Sequence, residues 1–133
     1  MSIRAVKNAF LDAIREDATL AHIVWEGTVK DRPSRYVSVH TDSGVREVGR
    51  FTGPQTTSTQ TFTVHSVGET PDKAQEVAER VFAQVLDRVL VVPNRACRRV
   101  RHGSSQPAQL SDDVSPALYF CVDEFDVTSE PTG

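Results

Sequence analysis

Two periodicities divide this chain. From Thr61 to Val67 polar and apolar residues alternate (Thr61-Phe62-Thr63-Val64-His65-Ser66-Val67), the spacing of a half-buried strand. Gly68-Glu69-Thr70-Pro71 interrupts it. Ala74, Val77, Ala78, Val81, Phe82, Val85 and Leu86 then recur on one helical face, with Gln75, Glu76, Glu79, Arg80, Gln84, Asp87 and Arg88 opposite. Thr70 offers a capping oxygen, and Pro71 suits a first turn in which a missing N–H costs nothing. Glu76 and Arg80 stand four apart in the favourable order. A helix this apolar on one side needs a sheet to lie on.

The same logic places the other elements. Ser2 caps a first helix over Ile3–Ile14, with Ile3, Val6, Phe10, Ala13 and Ile14 inward. Glu16-Asp17 breaks it, and Ala18 to His22 forms a further turn. Ile23-Val24-Trp25 begins an extended segment that ends near Gly27. Arg35 to Thr41 alternates as a strand, Asp42-Ser43-Gly44 turns, and Val45 to Phe51 returns. The polar run 55–60 leads into the 61–67 strand. Pro93-Asn94 stops the helical run, and Arg95 to His102 is a strand. Residues 103–116, polar and holding two prolines, form a long loop before a closing strand, Ala117 to Val127.

These elements predict an α+β fold: a mostly antiparallel, four- to five-stranded sheet with two main helices packed on one face. One domain is expected over residues 1–127, with a flexible tail at 128–133. The closing strand is apolar on both sides. Leu118, Phe120 and Val122 point one way; Tyr119, Cys121, Phe125 and Val127 point the other. Two helices cover only one of those faces, so the other needs a partner subunit or a folded-back hairpin.

Composition narrows the function classes. The 133 residues carry a net charge of −3, which argues against whole-surface attraction to nucleic acid or anionic lipid. No stretch reaches the ~18 apolar residues of a membrane span. Arg4, Lys7, Asn8 and Asp12 interrupt the first apolar segment, so no signal peptide is expected there. Cys97 and Cys121 make no disulfide framework, and the expected setting is the cytosol with free thiols. All Lys and Arg lie at or before Arg101, whereas the residues beyond it carry only acids: Asp112, Asp113, Asp123, Glu124, Asp126 and Glu130. Cross-strand pairing of the Arg95–Arg101 segment with the acidic closing strand explains the reversal. A nucleic-acid patch on those arginines is the competing explanation.

Searching for chemistry yields little. His22, His40, His65 and His102 lack helical metal-site spacing, and no C-x-x-C accompanies them. His40 and His65 can meet across neighbouring strands, but a strand histidine is the simpler reading. Cys97, Cys121 and His102 lack a fourth zinc ligand and fit buried thiols better. Gly103-Ser104-Ser105 is no nucleophile elbow, and no phosphate loop or EF-hand is present. No catalytic, cofactor or metal residue is assigned. Trp25 is expected in the core. The interface candidates are Arg50, Phe51, Asp112, Asp113 and Tyr119.

The layout resembles the tail terminator, or tail-completion, proteins of long-tailed bacteriophages, above all those of actinobacteria. The resemblance rests on the helix Ile3–Ile14, the entry Pro33-Ser34-Arg35-Tyr36-Val37-Ser38-Val39 and the unit Phe62-Thr63-Val64 … Thr70-Pro71 … Ala74 … Ala78. The closing Ala117-Leu118-Tyr119-Phe120-Cys121-Val122-Asp123, after the loop with Asp112-Asp113, completes it. It spans nearly the whole chain as a pattern of elements, without a signature motif. It implies a non-enzymatic virion protein at the head-proximal end of the tail, assembled in the host cytoplasm. It further implies a ring, typically a hexamer, with the tail tube protein on one face and a neck or head-completion protein on the other. Phage DNA would pass through the ring; no cofactor and no membrane are involved. A head-closure or neck connector is the nearest competitor. A small cytosolic enzyme or ligand-binding module is more remote.

Overall fold

The computed structural model describes residues 2–27, 34–41, 45–48, 56–111 and 118–131. Two helices and a sheet follow the two sequence periods. Helix α1 spans Ser2–Arg15 and helix α2 spans Pro71–Val85. A 3-10 turn at Leu20–His22 follows α1. The strands are β1 (Val24–Glu26), β2 (Tyr36–Thr41), β3 (Val45–Val48), β4 (Thr56–Gly68), β5 (Val89–Val92), β6 (Arg95–Arg99), β7 (Arg101–Ser111) and β8 (Leu118–Pro131). None of the described helices is long and apolar enough to cross a membrane.

Helix α2 begins as its sequence dictates. Thr70 is extended, and its side chain accepts a hydrogen bond from the Lys73 N–H at 3.1 Å, a cap of the kind that contributes about 1 kcal/mol. Pro71 occupies the first turn. At the other end Asp87 adopts φ 59° and turns the chain out of the helix, a left-handed conformation that Asp tolerates better than most residues.

The sheet is larger than expected. Its order is β1-β2-β4-β8-β6-β5, with β3 joined to β4 and β7 joined to β8. All pairs among the described residues are antiparallel except β1 with β2, where Val24, Trp25 and Glu26 run alongside Val37, Ser38 and Val39. The expectation of an α+β fold with a mostly antiparallel sheet stands, but the sheet has eight strands among the described residues and not four to five. β5 is one strand the sequence did not disclose: its four successive apolar residues carry no alternation of their own.

Two further expectations change. Val45–Val48 does not return along β2; it pairs with Val48↔Thr56 through Val45↔Thr59, on the edge of β4 that β2 also uses. β2 and β3 are therefore two lengths of one arm, and that arm turns back into β4 after Val48. Likewise residues 103–111 belong to strand, not loop. β6 and β7 form one arm along β8, from Arg95↔Pro131 to Ser111↔Leu118. β7 keeps its place despite Pro107 because it is an edge strand with two irregularities, where a missing N–H is tolerated. Residues 128–131, expected to fray, extend β8: Thr128 and Ser129 pair with Thr59 and Ser58.

The expected antiparallel placement of the basic segment beside the closing strand is observed. Among the described residues no ion pair joins the arginines of β6 and β7 to the acids of β8. Arg101 lies opposite Asp126, but that carboxylate accepts a hydrogen bond from Thr61 at 2.9 Å, and Arg95 donates to the Ser129 hydroxyl and carbonyl oxygens.

Both helices cover one face. Phe62 and Phe125 are opposite each other in β4 and β8, and both are fully buried. Phe10 of α1 stacks on Phe62 with ring centroids 4.1 Å apart, and Phe82 of α2 meets Phe125 edge-on at 5.1 Å. Val6, Ile14, Val81 and Val85 close the layer from the helices, and Val37, Val39, Val64 and Val127 from the sheet. Near the start of α2 the packing uses small residues. A Cβ on Gly68 would lie 2.5 Å from the Ala74 nitrogen, so the helix approaches β4 closely only because Gly68 has no side chain. Ala74, Ala78 and Cys121 form the small cluster that results.

Candidate functional site

The strand period settles what the second sheet face carries. Along β4, Phe62, Val64 and Ser66 are buried toward the helices, while Thr59, Thr61, Thr63 and His65 alternate outward and are half-buried. In β8 the buried set is Cys121, Asp123, Phe125, Val127 and Ser129, and the outward set is Phe120, Val122, Glu124, Asp126 and Thr128. The two-sided closing strand expected from sequence is observed, and no described element covers its outer side.

Rings cross this outer face from β1 to β8. Trp25 meets Tyr36 edge-on at 6.4 Å, His40 meets His65 at 5.6 Å, and His65 stacks on Phe120 at 6.0 Å. Trp25 is therefore not a core residue: it stands opposite Ser38 on the outward side, half-exposed. Its β1 edge position kept it from the helix layer. The expected meeting of His40 and His65 occurs. Burial first, and the neighbouring His40 second, lower the His65 pKa from its usual imidazole value. Hydroxyls fill the next rows: Thr59 and Thr128 share a 3.0 Å hydrogen bond, and Ser38 donates to the Gly27 carbonyl. Gly27 itself leaves β1 at φ 75°.

A second feature lies on the helix side. A cleft of about 240 Å³ opens between α2 and β7, with Ala78, Phe82 and Pro107 as apolar walls and Glu79 and Asp123 as acids. No Lys or Arg lines it. Asp123 is buried and lies 3.2 Å from His102 Nε2, whose ring packs against Phe82 and Phe125. Sequence reasoning missed this cleft because it read residues 103–116 as loop. The register Ser105↔Asp123 and His102↔Phe125 is what builds it.

Among the described residues no group of three or more His, Cys, Asp and Glu is placed to hold a metal ion. Cys97 and Cys121 are free. Cys97 aligns with Ser129, eight residues along β8 from Cys121, a separation of roughly 26 Å that no disulfide spans. Burial raises both thiols above the usual range. Protein prepared without reductant and then denatured should titrate with two free thiols; recovery of none would contradict this.

Of the interface candidates, Arg50, Phe51, Asp112 and Asp113 lie outside the described residues. Tyr119 is on the helix side, half-buried against the cluster of Ala74, Ala78 and Cys121. Among the described residues, β4 begins at Thr56 and ends at Gly68, which lies beside Tyr119 near the start of β8. Twelve residue steps of strand separate these ends, roughly 40 Å.

The arrangement has a counterpart in a virion. A chain of a structure described as the virion of a native gene transfer agent (GTA) particle matches with a TM-score of 0.76, covering 95% of each chain at 16% sequence identity. The likeness extends over both helices and the sheet, and at this identity it establishes a shared fold. No protein-family model matches the chain, and no curated protein matches it.

Proposed function

We propose that this chain is a structural virion protein that caps the tail tube as an oligomeric ring, ends its polymerisation and offers the surface to which the head joins. The observation that carries the reading is the shared fold, nearly end to end, with a chain of a phage-like particle. The resemblance to tail terminators in the sequence narrows the virion role to the tail end. Two physical features agree with it. The length of β4, from Thr56 to Gly68, gives the sheet two well-separated ends, as an adaptor between two different partners requires. The outer sheet face carries half-buried rings that a neighbouring subunit would cover.

The mechanism needs no reaction. A tube of identical rings presents the same growing surface after every addition. Growth stops when a subunit matches that surface with one end and presents another surface beyond it. In this reading the Arg50–Phe51 and Asp112–Asp113 connections serve the two ends, and the ring is a hexamer that leaves DNA a central path. A head-closure or neck connector role uses the same two-ended geometry and is the second reading. Adding purified protein to tail-tube subunits that are elongating should arrest growth, with the chain found at tube ends. Unchanged lengths, with no chain at the ends, would contradict the terminator reading.

A further inference from the structure

The cleft between α2 and β7 holds acids without a matching cation. Glu79 and Asp123 line it, and no Lys or Arg among the described residues does. Glu79 takes part in no ion pair among the described residues. Asp123 is the unusual member. Its side chain is only 3% exposed, a setting in which an ionised carboxylate is costly unless its oxygens find partners. One oxygen, Oδ1, lies 3.2 Å from His102 Nε2. The other, Oδ2, has no hydrogen-bond partner among the described residues. It is not fully enclosed, and the space beside the side chain is the cleft.

Size and walls narrow the ligand. At about 240 Å³ the cleft is smaller than the ~300–1,000 Å³ of small-molecule sites, which suits a single side chain. Ala78, Phe82 and Pro107 give it apolar walls. A cation on an apolar stem matches both features, with methylenes along the walls and charge at the acids. The surface beside the cleft continues the pattern. Leu110 is opposite Tyr119, so it stands on the helix side of the sheet, as the cleft does. It is 54% exposed and lies two residues beyond Ala108 of the cleft wall, about 7 Å along the strand.

We propose that the cleft receives an arginine side chain of a partner protein, with an apolar residue of the same segment resting on Leu110. Arginine fits better than lysine. Its planar fork offers donors to Asp123 Oδ2 and to Glu79 at once, and its weaker hydration makes entry between apolar walls less costly. A free small cation would leave Leu110 uncovered, which is why the occupant is a polypeptide. Backbone pairing with β7 is not required: Pro107 and the two irregularities make that edge a poor ladder partner. Such a contact does not depend on the tail-end reading.

Fluorescence anisotropy of the full chain with a labelled heptapeptide, Ala-Leu-Ala-Arg-Ala-Leu-Ala, tests it. Leucines on both sides serve either chain direction. Binding should saturate and weaken as salt rises. Citrulline in place of the arginine, which removes the charge, should weaken binding about tenfold or more. Asp123→Asn should weaken it about tenfold, and Glu79→Gln about two- to fivefold, since an exposed acid contributes less. Asp123 lies in the interior, so this variant counts only if its circular dichroism matches the wild type. Ala108→Leu, which fills the cleft, and Leu110→Ser, at an exposed position, should also weaken binding and leave the buried acid untouched. Absence of saturable binding, equal binding of the arginine and citrulline peptides, or wild-type binding by both Glu79→Gln and Ala108→Leu would overturn the proposal. Blocked arginine binding as tightly as the peptide would mean a free-cation site. Self-association of the wild type that Glu79→Gln abolishes would place a second copy in the cleft. Either result would overturn the assignment to a partner protein. None of these outcomes bears on tail length in particles, so failure here is distinguishable from failure of the proposed function.

Discussion

Phe62→Ala should cost about 3–5 kcal/mol of stability, the range for deleting a buried aromatic ring. Phe62 is fully buried at the centre of β4, stacked on Phe10 at 4.1 Å and opposite Phe125 in the neighbouring strand. It joins α1 to the two longest strands, so its loss opens a cavity that neither helix can close alone. A domain of this size holds about 5–15 kcal/mol in all, so the variant gives up about a fifth of its margin or more. Denaturant unfolding should show a lower midpoint with an unchanged slope. Thr63→Ala, one residue away but outward, is the control, with a loss of at most about 1 kcal/mol. Equal losses for the two variants would mean that the burial assigned to β4 is wrong.

What the sequence disclosed, and what it hid, follows from the range of the forces involved. Helix α2 was legible because cap, proline and apolar stripe are local signals within residues 70–86. β4 was legible over its alternating half. The outward and inward sets of β8 also followed from a strict period of two. β5 was hidden because four successive apolar residues after a helix carry no period of their own. β7 was hidden because Gly103, Ser104, Ser105 and Pro107 are turn formers, and only pairing with β8 holds them extended. The direction of β3 was hidden for a similar reason: a turn signal at 42–44 does not reveal which edge the next segment joins. The cleft beside α2 depends on the pairing of β7 with β8, a long-range fact. Trp25 was assigned to the core on hydrophobicity, yet the parallel edge position of β1 turns it outward. Of the interface candidates, Arg50, Phe51, Asp112 and Asp113 lie in polar segments outside the described residues, and Tyr119 lies in β8 on the helix side.

The largest functional effect should come from removing the protein altogether. If it caps the tube, nothing else in a polymer of identical rings ends growth at the correct point, and the head has no surface to join. Substitutions such as Phe51→Ala or Asp112→Lys should impair capping while the domain stays folded. The most direct measurement is electron microscopy of particles assembled without this chain. The account predicts filled heads that remain unjoined, beside tails that are overlong or variable in length, with both defects corrected by the intact chain. Tails of normal length joined to full heads would contradict it.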